Sequence, residues 1–279
     1  MVLVDIPLHI TSIWAPRYAE DPLRTGSLGC GVVVRPGVLL QARPGRGRPS
    51  ARHVEAVLTR MGVEAEVSYT APVDLGVGYG LSAALALGTA LGAAALAGRP
   101  LIEAAKIAHL VEVELGTGLG DVIAEYYGGG IELRIEAGAP GVGVVDKIPY
   151  PRDLAVVASD LGRYPTYKML DELRGRLATI GERYIGELLR EPTYERFAAL
   201  SREFSREIGF LSSELEGKIK PCARYADTYY VKKKVLVFLT YRDEAVPLAD
   251  CLKEIGLSPR MFEISDAGAR VAVGRTARP

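Results

Sequence analysis

The chain runs to 279 residues, enough for about two domains at roughly 150 residues each. With 48% hydrophobic and 24% charged residues it can bury a sizeable core, which excludes a disordered or fibrous chain. Lys+Arg and Asp+Glu both total 34, so the formal charge is zero and the basic surplus of a nucleic-acid-bound protein is missing.

The first segment, Met1 to Trp14, has no basic start and carries Asp5 and Pro7, so it is not a signal peptide, and a cytoplasmic chain is expected. Gly29 to Val34 and Gly37 to Leu40 read as two short strands around the turn Arg35-Pro36. Arg43 to Arg52 is a loop with four Arg, open to two readings: a solvated surface loop or a nucleic-acid arm. His53 to Met61 is helical, and Glu64 to Tyr69 alternates as a strand does. Leu75 to Gly98 carries no charge and is long enough to span a bilayer. Six of its residues are Gly and eight are Ala, and its first third alternates Gly, so it reads as a buried helix behind a glycine turn. A second helix starts at Pro100, and a strand follows from Ile131 to Ile135.

A change in character at Pro149-Tyr150-Pro151 divides the chain into residues 1–150 and 151–279. Beyond it come a strand (Leu154 to Ser159), a helical stretch (Thr166 to Gly217, broken near Glu191-Pro192) and a strand (Val235 to Tyr241). A helix (Ala245 to Ile255) and two short strands (Met261 to Val273) complete an α+β pattern with an antiparallel sheet covered on one face. Cys30, Cys222 and Cys251 are too sparse for a disulfide framework or a zinc site and read as reduced thiols. His9, His53 and His109 make no sequence cluster. Asn is absent and Gln occurs once, at Gln41, a depletion of thermolabile amides that suggests a heat-loving source.

Three glycines, Gly76, Gly78 and Gly80, alternate ahead of Leu81-Ser82-Ala83-Ala84. Such a turn can aim several N–H groups into one concavity, and a helix N-terminus beyond it adds partial positive charge, which together make an anion site. No Lys follows as in a Walker loop, and no acidic residue stands where a dinucleotide site needs one. A tight helix-packing turn with Ser82 as a plain N-cap is the other reading. On the helix from Leu101 to Leu115, the residues Leu101, Ala104, Ala108, Val111 and Leu115 fall on one core-facing stripe. Glu112 lies at its margin with His109 three residues back, either as a metal or anion pair or as a snorkelling Glu beside a core-edge His. Asp121 follows Gly116-Thr117-Gly118-Leu119-Gly120 and either caps a short helix or stays free for chemistry. Arg134 stands between Glu132 and Glu136, on a solvated face or against an anion.

Gly78 to Ala84 resembles the phosphate loop of the GHMP kinases, the superfamily of galactokinase, homoserine kinase and mevalonate kinase. Gly118-Leu119-Gly120-Asp121 is similar to that superfamily's catalytic-aspartate motif. Asp21 to Ser27, the Gly-Tyr-Gly-Leu-Ser form of the loop, and Ala108-His109 through Glu112 to Val122 resemble the archaeal pantoate kinase branch. The resemblance implies a two-domain fold, with an N-terminal domain like ribosomal protein S5 and a ferredoxin-like C-terminal domain. It implies an ATP-dependent, Mg2+-dependent transfer to the primary hydroxyl of pantoate, towards coenzyme A. Under it, Gly76, Gly78, Tyr79, Gly80, Leu81, Ser82 and Ala83 wrap the phosphates, and Ser82 and Glu112 bind magnesium. Asp121 acts on the attacking hydroxyl, as general base or by charge, while Ser27, His109 and Arg134 hold the pantoate carboxylate. The partner is a small molecule rather than nucleic acid or a membrane, and a homodimer is admitted.

Two departures stand out. The family usually shows Pro-Gly-His near the N-terminus, where this chain has Pro7-Leu8-His9. The family's third, glycine-containing motif is not recognisable; Ala226 to Lys234 stands near its place, with Lys232, Lys233 and Lys234 open to two readings, solvated surface lysines first and an electrostatic replacement for the missing motif second. Other readings remain: a kinase for another small hydroxy acid or polyol, a catalytically dead ligand-binding protein, or an RNA binder. Retention of Ser82, Glu112 and Asp121 together speaks against a dead enzyme, and charge neutrality speaks against RNA.

Overall fold

Val2, Val4, Ile6, Leu8 and Ile10 recur at every second position, the period of a strand with a buried face. In the computed structural model of the chain they belong to β1 (Val2–Arg17), whose outer half is buried on both faces. The structure describes residues 1–49, 51–164 and 166–274. β1 pairs antiparallel with β2 (Gly26–Pro44), one 19-residue strand where two short ones around Arg35-Pro36 were expected. The register steps from Leu8↔Val34 to Ile6↔Val38, so the extra β2 residues form a bulge, a place where the missing donor of Pro36 is tolerated. The far edge of β2 is shared by β3 (Ala65–Thr70), β4 (Ile131–Glu136) and β9 (Pro259–Ile264). β4 also pairs with β5 (Val144–Ile148), and β1 with β10 (Arg270–Val273).

α1 (Arg52–Met61) connects β2 to β3, and between β3 and β4 lie α2 (Leu81–Ala97), α3 (Leu101–Leu115) and the short α4 (Asp121–Tyr127). α2 is buried all round from Ala83 to Ala94, which explains its uncharged sequence without a membrane. Among the described residues no helix is long and apolar enough to cross one. Its glycines let it lie close on the sheet: a Cβ on Gly88 would come within 2.6 Å of Ile6, and one on Gly92 within 2.9 Å of Ala42. α3 is rotated from its expected stripe. Leu101 is 36% exposed, whereas His109 and Glu112 are buried with Ala104, Ala105, Ala108 and Val111. β4 also departs from a strand with one solvated face. Glu132 and Arg134 are buried with Ile131 and Leu133, while Ile135 and Glu136 are exposed.

The second half contributes β6 (Leu154–Asp160), β7 (Thr228–Lys232) and β8 (Val235–Tyr241), joined to β9 in the order β9-β6-β8-β7. The helical stretch after β6 is α5 (Thr166–Arg190), α6 (Tyr194–Glu207) and α7 (Ser213–Ile219), and α8 (Ala245–Glu254) connects β8 to β9. The β6-helix-β7-β8-helix-β9 order, with all neighbours antiparallel, is the ferredoxin-like arrangement. Through the β2–β9 pairing it continues the N-terminal sheet, giving ten strands in one sheet. Cys222 and Cys251 form a disulfide, which corrects the reading of all three cysteines as reduced thiols. They are 29 residues apart, and only the packing of α8 beside the turn after Cys222 brings their Cα atoms to 5.6 Å. The cysteine pattern therefore says nothing of a reducing compartment, and internal disulfides do occur in hyperthermophiles.

Candidate active site

One cleft of about 310 Å³ opens between the two halves, lined by β1, the start of α1, the glycine loop, the 115–121 loop, α5 and the β7–β8 turn. On one wall, Gly76, Gly78 and Gly80 hold φ of +84°, +139° and +75°. A Cβ on Gly78 would lie 3.1 Å from Val235, and one on Gly80 would strike the Glu125 carboxylate and come within 3.1 Å of the His9 carbonyl. Positive φ thus requires all three glycines, and close approach adds to it at Gly78 and Gly80. Tyr79, between two of these glycines, is buried; its hydroxyl donates to Asp160 at 2.7 Å, and Asp160 also pairs with Arg260. Its carbonyl accepts from the His9 N–H at 3.2 Å. The loop is therefore held from both halves of the chain. It ends at Gly80, the N-cap of α2, and no side chain caps that terminus. N–H groups left free at such a helix start favour an anion.

The first turn of α2 carries Ser82, whose hydroxyl donates to Glu112 Oε2 at 3.2 Å. Glu112 Oε1 accepts from the Thr117 hydroxyl at 2.7 Å and stands 3.1 Å from His53 Nε2. A Cβ on Gly118 would strike Glu112 Oε2, so the loop crosses directly over this carboxylate. Ser82 is in the first turn and makes no N-cap bond, and Asp121 likewise makes none at the start of α4.

The opposite wall is built from buried charge. Asp121 Oδ1 accepts from His9 Nδ1 at 2.7 Å and from the Thr11 hydroxyl at 3.2 Å. The other ring nitrogen of His9 donates to Glu132 Oε1 at 2.8 Å, and the same oxygen pairs with Arg134 Nη1. Burial alone would lower the His9 pKa, but Glu132 and Asp121 outweigh it and raise it, which favours the imidazolium form between two carboxylates. Burial would raise Asp121, yet the His9 hydrogen bond and charge, with Lys232 and Lys233, hold it far below the carboxylate range. One helical turn on, Glu125 is fully buried and neither carboxyl oxygen has a partner among the described residues. Burial and the charges of Asp121 and Glu112 push its pKa well up, so it stays protonated beneath the glycine loop.

Lys232 and Lys233 correct the reading of the lysine run as surface. Lys232 is buried with its ammonium 4.0 Å above the Trp14 ring, and Lys233 is half-buried and bonded to Thr166; Lys234 alone is exposed. Burial pushes both pKa values down, so their charged forms gain from an anion brought into the cleft.

Of the residues singled out in the sequence, Gly76, Gly78, Tyr79, Gly80, Leu81, Ser82, Asp121 and Ser27 line this cleft. Ala83 lies behind it, buried in α2, and Glu112 lies beneath Ser82. Arg134 is buried under the wall, its Nε 3.3 Å from the Ser27 carbonyl and 2.7 Å from where a Gly120 Cβ would be. His109 is turned to the 19–25 loop, donating Nε2–H to the Thr25 carbonyl at 2.9 Å, and burial lowers its pKa. Sequence reasoning missed His53, Thr117, Glu132 and the chemical place of His9. Only the Pro7-Leu8-His9 departure signalled any of them.

A family model described as the GHMP kinases N-terminal domain matches residues 50–129. The chain is 37% identical, over 95% of its length and 96% of the relative's, to the pantoate kinase of Thermococcus kodakarensis. It superposes at a TM-score of 0.85, with 31% identity, on a solved "phosphotransferase related to CoA biosynthesis pathway", covering 98% of this chain and 99% of that one. A homoserine kinase from Listeria monocytogenes, 14% identical, shares the fold at a TM-score of 0.66 over 98% of this chain and 100% of that one.

Proposed function

From the premise that the chain belongs to the pantoate kinase family of the GHMP kinases, we propose that it transfers the terminal phosphoryl group of ATP to the primary hydroxyl of pantoate. The product is 4-phosphopantoate, on the way to coenzyme A. The observation that carries the reading is one cleft that gathers a glycine-loop anion cradle, the Ser82–Glu112 pair and the charge-held Asp121.

The donor set fits Mg2+. Ser82 and Glu112 offer one hydroxyl and one carboxylate, both oxygen, and magnesium keeps most of its shell for water and phosphate. Bound there, the ion supplies charge neutralisation to the phosphates. His53 and Thr117 fix the orientation of the Glu112 carboxylate. The free N–H groups at the start of α2 and the glycine loop bind the polyphosphate, with Lys232 and Lys233 facing it across the cleft. Asp121, with its low proton affinity, is a poor base in the ground state. It accepts the hydrogen bond of the pantoate hydroxyl, orients it, and takes the proton late, as a loose transition state permits. Ser27 on the cleft surface, with Arg134 directly behind it, forms the carboxylate end, and His109 supports that end through its bond to the Thr25 carbonyl. We further propose Pro149 to Pro151 as the boundary of two domains, 1–150 and 151–279, which share one sheet through the β2–β9 and β1–β10 pairings.

An ADP-coupled screen of small hydroxy acids and polyols with Mg-ATP tests the reading. Turnover concentrated on pantoate is the expected result. Turnover on a neutral polyol and none on pantoate would replace the substrate.

A further inference from the structure

Four side chains alternate in charge across the acceptor wall: Asp121, His9, Glu132 and Arg134. Glu132 is the member with no role so far. It is 0% exposed and uses one oxygen, Oε1, for two cations, the His9 ring at 2.8 Å and the Arg134 guanidinium. Its other oxygen, Oε2, is buried without a partner among the described residues. A buried carboxylate with an orphan oxygen is costly, and breaking a buried ion pair costs more. Space has been cleared for the arrangement. A Cβ on Gly31 would strike His9 Nε2, and a Cβ on Gly120 would come 2.7 Å from Arg134 Nε.

We propose that Glu132 is a positioning residue that couples recognition of the substrate carboxylate at Arg134 to the placement of Asp121 through His9. The proposal rests on the pantoate reading above. Because a single oxygen serves both cations, whatever one of them gives up the other gains. A substrate carboxylate that draws the guanidinium towards Ser27 leaves Oε1 to the imidazolium. His9 then holds its proton more firmly and fixes Asp121 as an oriented carboxylate. The charged or titratable groups facing His9 are Asp121 and Glu125 from α4 and Glu132 from β4, and Glu125 is protonated. The coupling makes the substrate carboxylate count in kcat as well as in KM, because it is used to align the reacting group.

The test is Glu132→Gln in the full chain, read in two ways. In steady-state kinetics, kcat for pantoate should fall about tenfold to a hundredfold, the scale of a misaligned reacting group, with KM for pantoate raised and KM for ATP unchanged. In spectra of 15N-histidine-labelled protein, wild-type His9 should carry protons on both ring nitrogens at neutral pH. Pantoate without nucleotide should move its Nε2–H signal, pantoamide, which keeps both hydroxyls and lacks only the charge, should not, and Glu132→Gln should abolish the response. Wild-type kcat in Glu132→Gln, or a wild-type His9 that is singly protonated or indifferent to pantoate, overturns the role of Glu132. If Glu132→Gln does not fold, the wild-type comparison of pantoate with pantoamide decides alone. A wild type that phosphorylates another acceptor and not pantoate overturns the substrate reading instead, and the protonation of His9 in the free protein tells the two failures apart.

Discussion

The two walls of the cleft solve opposite problems by opposite means. The phosphate wall, residues 76–82, has no charged side chain and works through glycine backbone and a helix start. The acceptor wall is crowded with ionised side chains, and its central pairs join residues far apart in sequence: His9 and Asp121 are 112 positions apart and His9 and Glu132 123, whereas Glu132 and Arg134 are two apart. The difference teaches where each kind of site tolerates change. A backbone cradle depends on the absence of side chains, so adding an atom breaks it. A charge ladder depends on pairing, so removing an atom breaks it and leaves a neighbour uncompensated.

Predictions follow from that contrast, beginning with the greatest loss. Ser82→Ala or Glu112→Ala should abolish turnover, because one hydroxyl and one carboxylate are the protein's whole share of the metal. Raising Mg2+ should restore part of the rate; wild-type activity in either would remove the assignment. Asp121→Asn should lower kcat by at least about a hundredfold and leave KM for ATP intact, as measured by initial rates. Should it simply unfold, the residue would be structural. Arg134→Ala should raise KM for pantoate about tenfold to a hundredfold, the scale of a desolvated Arg–carboxylate contact of roughly 1.5–3 kcal/mol. Thermal melts should also show it destabilised, by about 3–5 kcal/mol, since Glu132 is left buried without its guanidinium. The solvated-face reading of Arg134 does not survive the burial of Glu132 and of Arg134 itself.

On the phosphate wall the effect is narrower. Gly80→Ala must adopt φ near +75° and force its Cβ against Glu125, so KM for ATP should rise and stability fall by about 1–3 kcal/mol. An unchanged KM for ATP would mean the loop has room that the structure does not show. Least affected in chemistry is the far end of the molecule. Cys251→Ser should lower unfolding stability by about 2–4 kcal/mol, as expected for a closed loop of this length, and leave kcat untouched where the protein is folded.

The same contrast explains what could be read from the sequence. Gly76, Gly78, Gly80 and Ser82 lie within one turn and its helix, so their spacing could be read locally, as an anion cradle or as a tight helix-packing turn. Most elements of the second half were legible for the same local reason, and their order gave the α+β class. The ladder was not, because His9, Asp121 and Glu132 meet only after β1, α4 and β4 are packed together. Arg134 looked like one half of a solvated Glu–Arg–Glu strand face, since period-two polarity cannot distinguish a wet face from a charged core. Lys232 and Lys233 looked like surface because a hairpin turn normally is, and here that turn is folded into the cleft. The disulfide was hidden by the same limit: 29 residues and two elements separate its halves.

The most direct test offers wild-type protein an equimolar mixture of pantoate and its carboxamide, pantoamide, with Mg-ATP and follows products by phosphorus NMR. Both molecules keep the primary hydroxyl, and only the acid carries the carboxylate proposed to be read at the acceptor wall. A single new phosphomonoester signal is expected, that of 4-phosphopantoate, with the amide left unphosphorylated. Equal consumption of acid and amide would contradict this.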